Sequence, residues 1–239
     1  MKTHKIKSLQ QYTDIIDSYG EYGYIFRGQK KTSYKLVNSV SRYLNVKSPH
    51  SNRILFPSDN DLIRKELDIL RLFGSEYCRY TNEKLVNKWE MIATAQHHKC
   101  PTRFMDWSLS PLIALYFAVE HYDKEDAVVY SYNSDAKWID ELNTDLHNLD
   151  PFTLSHECIY IPRHADERLR AQQGVFLIQP CIDTYKELNN NNIERIEIDT
   201  NYRQFIKQQL YTMGISSKTV YPDLDGLGQY FKEFHFEGI

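Results

Sequence analysis

Short segments with the apolar character of buried strands alternate along this chain with longer segments whose apolar residues recur at helical spacing. The strand-like segments cover residues 24–26, 102–107, 127–132, 157–161, 174–178 and 193–198. Strands this short need one shared sheet with helices packed against it to bury a core. We therefore predict a single α+β domain with a mixed or antiparallel sheet flanked by helices. A parallel α/β sheet is the alternative.

Capping residues mark where the predicted helices begin. Ser8 precedes a helix within residues 1–19, which we set apart from a globular unit over residues 20–239. Ser58 precedes an apolar helical face that runs to residue 77, and Ser110 with Pro111 gives a strong start signal for another helix. Further helices are predicted from about residue 82 to Pro101, from about residue 200 to 214, and at the C-terminus.

Composition excludes several classes of protein. The chain has 239 residues and a formal net charge of −3, so it lacks the basic character of a protein that binds long nucleic acids. No apolar run approaches the roughly 20 residues of a membrane span, and because the stretch after the basic start is amphipathic we expect no secretory signal. Its four cysteines are far apart and form no metal-binding spacing. We expect a cytoplasmic protein without a metal site.

Three segments concentrate reactive side chains, and the first is Phe26-Arg27-Gly28-Gln29. An arginine at the exit of a strand, followed by glycine, suits recognition of a phosphate or carboxylate. The simpler interpretation is an arginine that fastens the end of the strand to a carboxylate of the core.

The second and third segments carry titratable and amide side chains. Residues 96–108 contain His97, His98, Arg103 and Asp106, which suit an acid–base pair or a buried network that holds a helix to a strand. Adjacent histidines on a helix point about 100° apart, so they do not suit one metal ion. Residues 168–176 contain Gln172-Gln173 before a strand, where the amides could bind a base edge or a ribose hydroxyl, or cap the turn.

These three segments, in this order, resemble the FRG domain, a bacterial family named for its Phe/Tyr-Arg-Gly signature. The matching motifs are Ile25-Phe26-Arg27-Gly28-Gln29, Gln96-His97-His98, Pro101-Thr102-Arg103, Asp106-Trp107, Ala114-Leu115-Tyr116-Phe117-Ala118, Ala171-Gln172-Gln173-Gly174 and Tyr221-Pro222-Asp223-Leu224-Asp225-Gly226. Members of this family occur in bacterial genomes near mobile elements. The resemblance implies a toxin-like or antiphage effector, with a protein partner that neutralises or activates it.

A second resemblance is to ADP-ribosyltransferases of the Arg–Ser–Glu kind, which use NAD. Arg27 would hold the NAD pyrophosphate, Ser108 would position the nicotinamide ribose, and Tyr116 or another aromatic residue would stack on the nicotinamide. Gln172 occupies the place of the catalytic glutamate and cannot carry its charge, so Glu167 or Glu157 would have to substitute. The remaining residues expected to bind ligand are Gly28, Gln29, His97, His98, Arg103, Asp106 and Gln173.

Two other functions compete with an NAD-dependent transferase. One is a module that binds a nucleotide or nucleic acid, or a partner, without catalysis, which the missing glutamate favours. The other is a hydrolase or nuclease that uses His97 or His98 with Asp106. Whether the protein is an enzyme stays open at this point.

Overall fold

The computed structural model describes residues 1–20, 23–51, 53–82, 84–163 and 167–238, in which helices and strands alternate. The strands are β1 (Lys2–Ile6), β2 (Tyr24–Gln29), β3 (Met105–Ser108), β4 (Ala127–Asn133), β5 (Lys137–Ile139), β6 (Cys158–Tyr160), β7 (Gly174–Ile178) and β8 (Ile193–Ile198). The helices are α1 (Leu9–Asp17), α2 (Asp59–Tyr77), α3 (Lys88–His97), α4 (Pro111–Val119), α5 (Glu167–Ala171), α6 (Arg203–Thr212), α7 (Ser217–Val220) and α8 (Leu224–Phe236).

These strands form one eight-stranded sheet in the order β1-β8-β4-β2-β3-β7-β6-β5. Strands β1 and β8 pair in parallel, as do β5 and β6, whereas the other neighbours are antiparallel. The mixed sheet confirms the predicted α+β class and excludes the all-parallel alternative.

The sheet is weakly joined in its middle. Strand β2 pairs with β4 over six residues, and β3 pairs with β7 over four. Between β2 and β3, by contrast, a single pair of residues is in register, Phe26 with Ser108. The two strands therefore separate beyond this pair, and the sheet consists of two four-stranded halves that meet at one point.

Helices cover the same face of both halves. Phe26 belongs to a core cluster with α1, α4 and α6, and Phe176 belongs to another with α2 and α3. Phe26 is opposite Ser108, and Phe176 is opposite Asp106, two positions before Ser108. Because side chains two positions apart in a strand share a face, both clusters lie on one side of the sheet. A third cluster, centred on Trp107 and Tyr130, covers the other side.

Most elements lie where the capping and apolar patterns put them. The side chains of Ser8, Ser58 and Ser110 each accept a hydrogen bond from the first turn of the predicted helix. Helix α3 begins later than predicted, at Lys88, because Asn87 caps it. The first 19 residues contain strand β1 as well as the predicted helix, and β5, α5 and α7 were not expected. Among the described residues, no helix has the length and apolar character needed to cross a bilayer.

Candidate functional site

A cleft of about 810 Å³ lies where the two halves of the sheet meet. Strands β2, β3 and β7 line its floor through residues such as Gly28, Ser108 and Gly174, and α3 and α4 line its sides. Arg168 of α5 and Gln172, the residue after that helix, also line the cleft. The three segments singled out in the sequence, which are distant along the chain, thus meet in one cavity.

Arg27 spans the point where β2 and β3 separate. Its Nη1 donates a hydrogen bond to the backbone oxygen of Asp106 and lies 3.8 Å from that residue's carboxylate oxygen Oδ2. The arginine side chain is 13% exposed, whereas the Asp106 side chain is 64% exposed, so the carboxylate neutralises the guanidinium only weakly. Burial lowers the pKa of Arg27, which means that its charge is held at a cost in free energy.

Buried polar atoms without a partner gather beside this arginine. Among the described residues, the Nε of Arg27, the Nε1 of Trp107 and the Oε1 of Gln29 are buried and have no hydrogen-bond partner. All three residues line the cleft. Buried polar atoms in native proteins are nearly always satisfied by protein, ordered water or ligand, so these three atoms are groups of the cleft that a bound water or ligand would satisfy.

The cleft is positively charged although the chain as a whole is not. Among the described residues, seven basic side chains line it, against three carboxylates. The basic residues are Arg27, Lys30, Arg42, Lys84, Lys99, Arg163 and Arg168, and the acidic residues are Glu90, Asp106 and Glu120. Since the formal net charge of the chain is −3, the positive charge is local, and we call this cavity the basic cleft.

Ser108 and Gln172 are joined by a hydrogen bond. The Ser108 hydroxyl donates to the backbone oxygen of Gln172 at 2.7 Å and accepts from the Ser110 amide at 3.0 Å. The Gln172 side-chain Nε2 donates to the backbone oxygen of Val220 at 3.2 Å. Both residues line the basic cleft, and their bonds tie β3, α5 and α7 together at its edge.

Gly28 lines the cleft, but glycine is required there by the packing of β2 on α4. A Cβ atom at this position would be 1.9 Å from the backbone oxygen of Ala114 and 2.7 Å from the backbone nitrogen of Ala118. Only glycine allows β2 to pack this closely on α4. The residue therefore fixes the helix against the strand that carries Arg27, whatever the cleft binds.

The histidines lie at the end of α3, as predicted, and both line the cleft. Their rings meet edge to face with centroids 5.1 Å apart, and the ring of His98 also lies against Phe73. The Asp106 carboxylate accepts a hydrogen bond from the Gln96 side chain at 2.7 Å. Gln96 and Arg27 thus both contact Asp106, which fits a positioning role for this residue in the cleft.

Two residues expected to bind ligand lie elsewhere. Arg103 is 1% exposed, and its Nη2 is 2.9 Å from Oε2 of Glu66, which is fully buried. It joins α2 to the segment before β3, so the expectation that it faces a ligand is wrong. Tyr116 is also 1% exposed, inside the core cluster beneath α4, and cannot stack on a base. The next residue of that helix, Phe117, lines the cleft instead.

The glutamates proposed to replace a catalytic residue are not among the residues that line the basic cleft. Glu167 is exposed at the start of α5, and Glu157 lines a second cavity. Gln173 is exposed and has a left-handed backbone (φ 46°), and its backbone oxygen accepts the Leu109 amide at 3.0 Å. Its described role is therefore in the turn between α5 and β7.

Sequence reasoning missed one carboxylate that does line the cleft. Glu120 follows α4, and its Oε2 accepts a hydrogen bond from the Tyr221 hydroxyl at 2.7 Å. Burial raises the pKa of Glu120 above its ordinary value. Tyr221 also stacks under the Arg168 guanidinium, 4.6 Å from the ring centroid. The only sequence signal was the position of Glu120, one turn beyond the Tyr116-Phe117 motif.

The family comparison agrees with the central motifs. Residues 22–127 match the model of the FRG domain, the family that the motifs in this part of the chain indicated. The match includes β2, the histidines of α3, β3 and α4. Searches of curated proteins and of solved structures return no match.

Proposed function

We propose that the basic cleft binds a nucleotide that carries a diphosphate, with NAD and ADP-ribose as the first ligands to test. The observation that carries this proposal is the coincidence, in one cavity, of excess positive charge with unpartnered buried donors on Arg27 and Trp107. An anion with several acceptor oxygens would neutralise the positive charge of the cleft. It would also accept hydrogen bonds from the donors on Arg27 and Trp107, directly or through ordered water.

The dimensions and the lining of the cleft also favour a nucleotide over an inorganic anion. A cavity of about 810 Å³ is within the range of small-molecule sites, and its lining combines charges with aromatic side chains. Phe117 offers apolar surface for a base or nicotinamide ring. The amide of Gln172 and the histidines add hydrogen-bonding groups at the rim.

Transfer of ADP-ribose requires more of the cleft than nucleotide binding does. In such a transfer a carboxylate must stabilise the positive charge that develops on the ribose when the bond to nicotinamide breaks. Gln172 is neutral, and neither Glu167 nor Glu157 lines the cleft. If NAD is consumed, Glu120 is the half-buried carboxylate that we propose for this role.

Ligand binding can be tested by thermal shift and calorimetry on the full chain. The ligands are NAD, ADP-ribose, ATP, GTP, nicotinamide and a short RNA. We expect NAD or ADP-ribose to raise the melting temperature, because a ligand at one hundred times its Kd stabilises the fold by about 2.7 kcal/mol. The effect should weaken as salt is added, since the attraction is electrostatic.

Matched variants identify the site. Arg27→Gln should abolish the NAD shift, whereas Arg79→Gln should preserve it, because Arg79 is 71% exposed and paired with Glu76 away from the cleft. Circular dichroism checks that Arg27→Gln is folded. Equal binding by Arg27→Gln and wild type would refute the proposed site. Stabilisation by ATP or GTP alone would favour a nucleotide sensor without NAD chemistry, and a shift with RNA alone would favour nucleic-acid sensing.

Turnover is measured separately, as NAD consumption and nicotinamide release. Loss of turnover in Glu120→Gln with unchanged NAD affinity would support catalysis in the cleft. Binding without turnover would support the non-catalytic module. A hydrolase that uses His97 would instead lose activity in His97→Ala and keep it in Arg27→Gln.

We further propose that the protein acts in the cytoplasm as a toxin-like or antiphage effector with a neutralising or activating protein partner. The support for this part is the FRG domain itself. Induced expression in bacteria should slow growth or limit phage replication for the wild type and not for Arg27→Gln. The same growth and phage replication with wild type and with Arg27→Gln would show that the cellular role does not depend on the basic cleft.

A further inference from the structure

A second cavity of about 760 Å³ lies at the end of the sheet where β7 finishes and β6 begins. It shares no described lining residue with the basic cleft. The asparagine-rich stretch that precedes β8, exposed at residues 189–192, forms part of its wall. Nothing proposed above uses this cavity.

Two residues at the adjoining ends of strands β6 and β7, each one position beyond its strand, line this cavity. Cys158 of β6 is in register with Ile178 of β7, so Glu157 and Gln179 are opposite each other one step further along. Opposed residues of antiparallel strands have their side chains on the same face and about 5 Å apart at Cβ. Both residues line the cavity.

Gln179 carries an unpartnered acceptor. Its side chain belongs to a residue that is 6% exposed, and its Oε1 has no hydrogen-bond partner among the described residues. A buried carbonyl in this state is unfavourable unless a donor reaches it. The cavity therefore needs a hydrogen-bond donor at this point.

Glu157 is held rigidly next to this carbonyl. Its Oε1 accepts hydrogen bonds from the Tyr132 hydroxyl at 2.7 Å and from the Ser134 hydroxyl at 2.8 Å. Burial raises the pKa of Tyr132, so this hydroxyl stays protonated and remains a donor. Asn190 donates to the Tyr132 oxygen at 3.0 Å, which fixes the ring from the loop side. The carboxylate is thus oriented by its neighbours before any ligand arrives.

The charge of the cavity selects for a cation. Among the described residues, four carboxylates line it, on Asp135, Glu157, Asp183 and Glu187, against two lysines. One of the lysines, Lys186, is paired with Asp183 at 2.7 Å. In the described part of the chain, no group of three or more His, Cys, Asp or Glu residues is arranged to hold a metal ion. The cation that fits is organic and carries N–H donors.

We propose that this cavity binds a small organic cation with a primary ammonium or guanidinium group, which donates hydrogen bonds to Gln179 Oε1 and to the Glu157 carboxylate. Charge-assisted hydrogen bonds of this kind are stronger than neutral ones and favour a ligand with both charge and donors. The site is independent of nucleotide binding in the basic cleft.

The test is calorimetry on the full chain with putrescine and with agmatine, and with tetramethylammonium as a cation that has no N–H donor. We expect putrescine or agmatine to bind and tetramethylammonium to bind at least tenfold more weakly. Glu157→Gln and Gln179→Met should each weaken binding at least tenfold, whereas Glu76→Gln, a change at an exposed residue of α2, should leave it unchanged. Arg27→Gln should bind the amine as the wild type does, which keeps this test separate from that of the basic cleft.

The melting temperature of Gln179→Met without ligand also tests whether the unpartnered carbonyl of Gln179 destabilises the fold. Because methionine has a similar volume and no acceptor, this variant should melt at or above the wild-type temperature. No heat with either amine, equal binding of tetramethylammonium, or unchanged binding in both cavity variants would each overturn the proposal. If Gln179→Met does not fold, Glu157→Gln alone decides between the outcomes.

Discussion

Replacing Arg103 with methionine should greatly lower the melting temperature of the protein and should have no direct effect on ligand binding. The guanidinium is 1% exposed, and its Nε and Nη2 bond both oxygens of Glu66 at 2.9–3.3 Å. Its Nη1 donates to the backbone oxygen of Pro151 at 3.1 Å, and the ring of Phe152 lies 3.6 Å from the guanidinium carbon. The methionine variant leaves the Glu66 carboxylate buried with two donors, the Arg103 amide and the Tyr185 hydroxyl.

Removing one member of a buried ion pair costs about 3–5 kcal/mol of folding stability. A chain of this length loses about 2–4 °C of melting temperature per kcal/mol, so the expected decrease is roughly 6–20 °C. The assays are thermal melting and urea unfolding followed by circular dichroism, with the urea dependence of the free energy of unfolding compared between variants.

Asp106→Asn is the matched control. This carboxylate is 64% exposed, and the hydrogen bond from Arg27 goes to the backbone oxygen, which the substitution keeps. Its stability should change by no more than about 0.5 kcal/mol. A decrease below about 3 °C for Arg103→Met, or similar losses for both variants, would refute the assignment of Arg103 as a buried structural residue. The double variant Glu66→Leu/Arg103→Met should recover part of the loss, because no buried charge is then left alone.

Two further predictions follow from particular contacts. Gly28→Ala should lower the free energy of unfolding by about 1–3 kcal/mol or more, because the added methyl group overlaps the backbone of α4 at Ala114. In the control variant Gly228→Ala, in α8, the methyl group meets nothing within 4 Å and should raise the free energy of unfolding by up to about 1 kcal/mol. Urea unfolding of both variants measures the two changes. Glu120→Gln should have a higher melting temperature than the wild type at neutral pH. Burial raises the folded-state pKa of Glu120 above 4.5, so the charged carboxylate destabilises the folded state. The neutral glutamine avoids this cost and can still accept the hydrogen bond from Tyr221. The difference should disappear as the pH falls from this raised pKa to about 4.5, where the wild-type carboxyl becomes protonated; melting curves across that range check it, and a pH-independent difference would contradict the reasoning.

The elements that the sequence predicted well are those with local signals. Serine caps predicted α1, α2 and α4, and runs of apolar residues predicted β4 and β7. The predicted bounds of these elements lie within a few residues of those in the structure. Strand β1 lacks such a signal, because residues Lys2–Ile6 are mostly exposed at the edge of the sheet and show no apolar alternation. It is a strand because β8, almost 190 residues later in the chain, offers a parallel partner.

The candidate site was predictable as a set of segments and less so as a set of side chains. Arg27 and Arg103 look alike in sequence, because each lies in or next to a segment that is predicted to be a short strand. Their difference comes from Glu66, 37 residues before Arg103, which reaches it from α2. Similarly, Tyr116 and Phe117 are adjacent on α4, and only the packing of that helix on β2 decides which ring lines the cleft.

The order of strands in the sheet limits how an FRG domain can be cut out of this chain. The matched residues 22–127 contain β2 and β3 whole and only the first residue of β4. The strands that flank them, β4 on one side and β7 on the other, come from later in the chain. A fragment limited to residues 22–127 would therefore expose two unpaired strand edges and would tend to aggregate. A segment that transplants this domain into another protein must extend at least through β8, and fusion partners belong outside it.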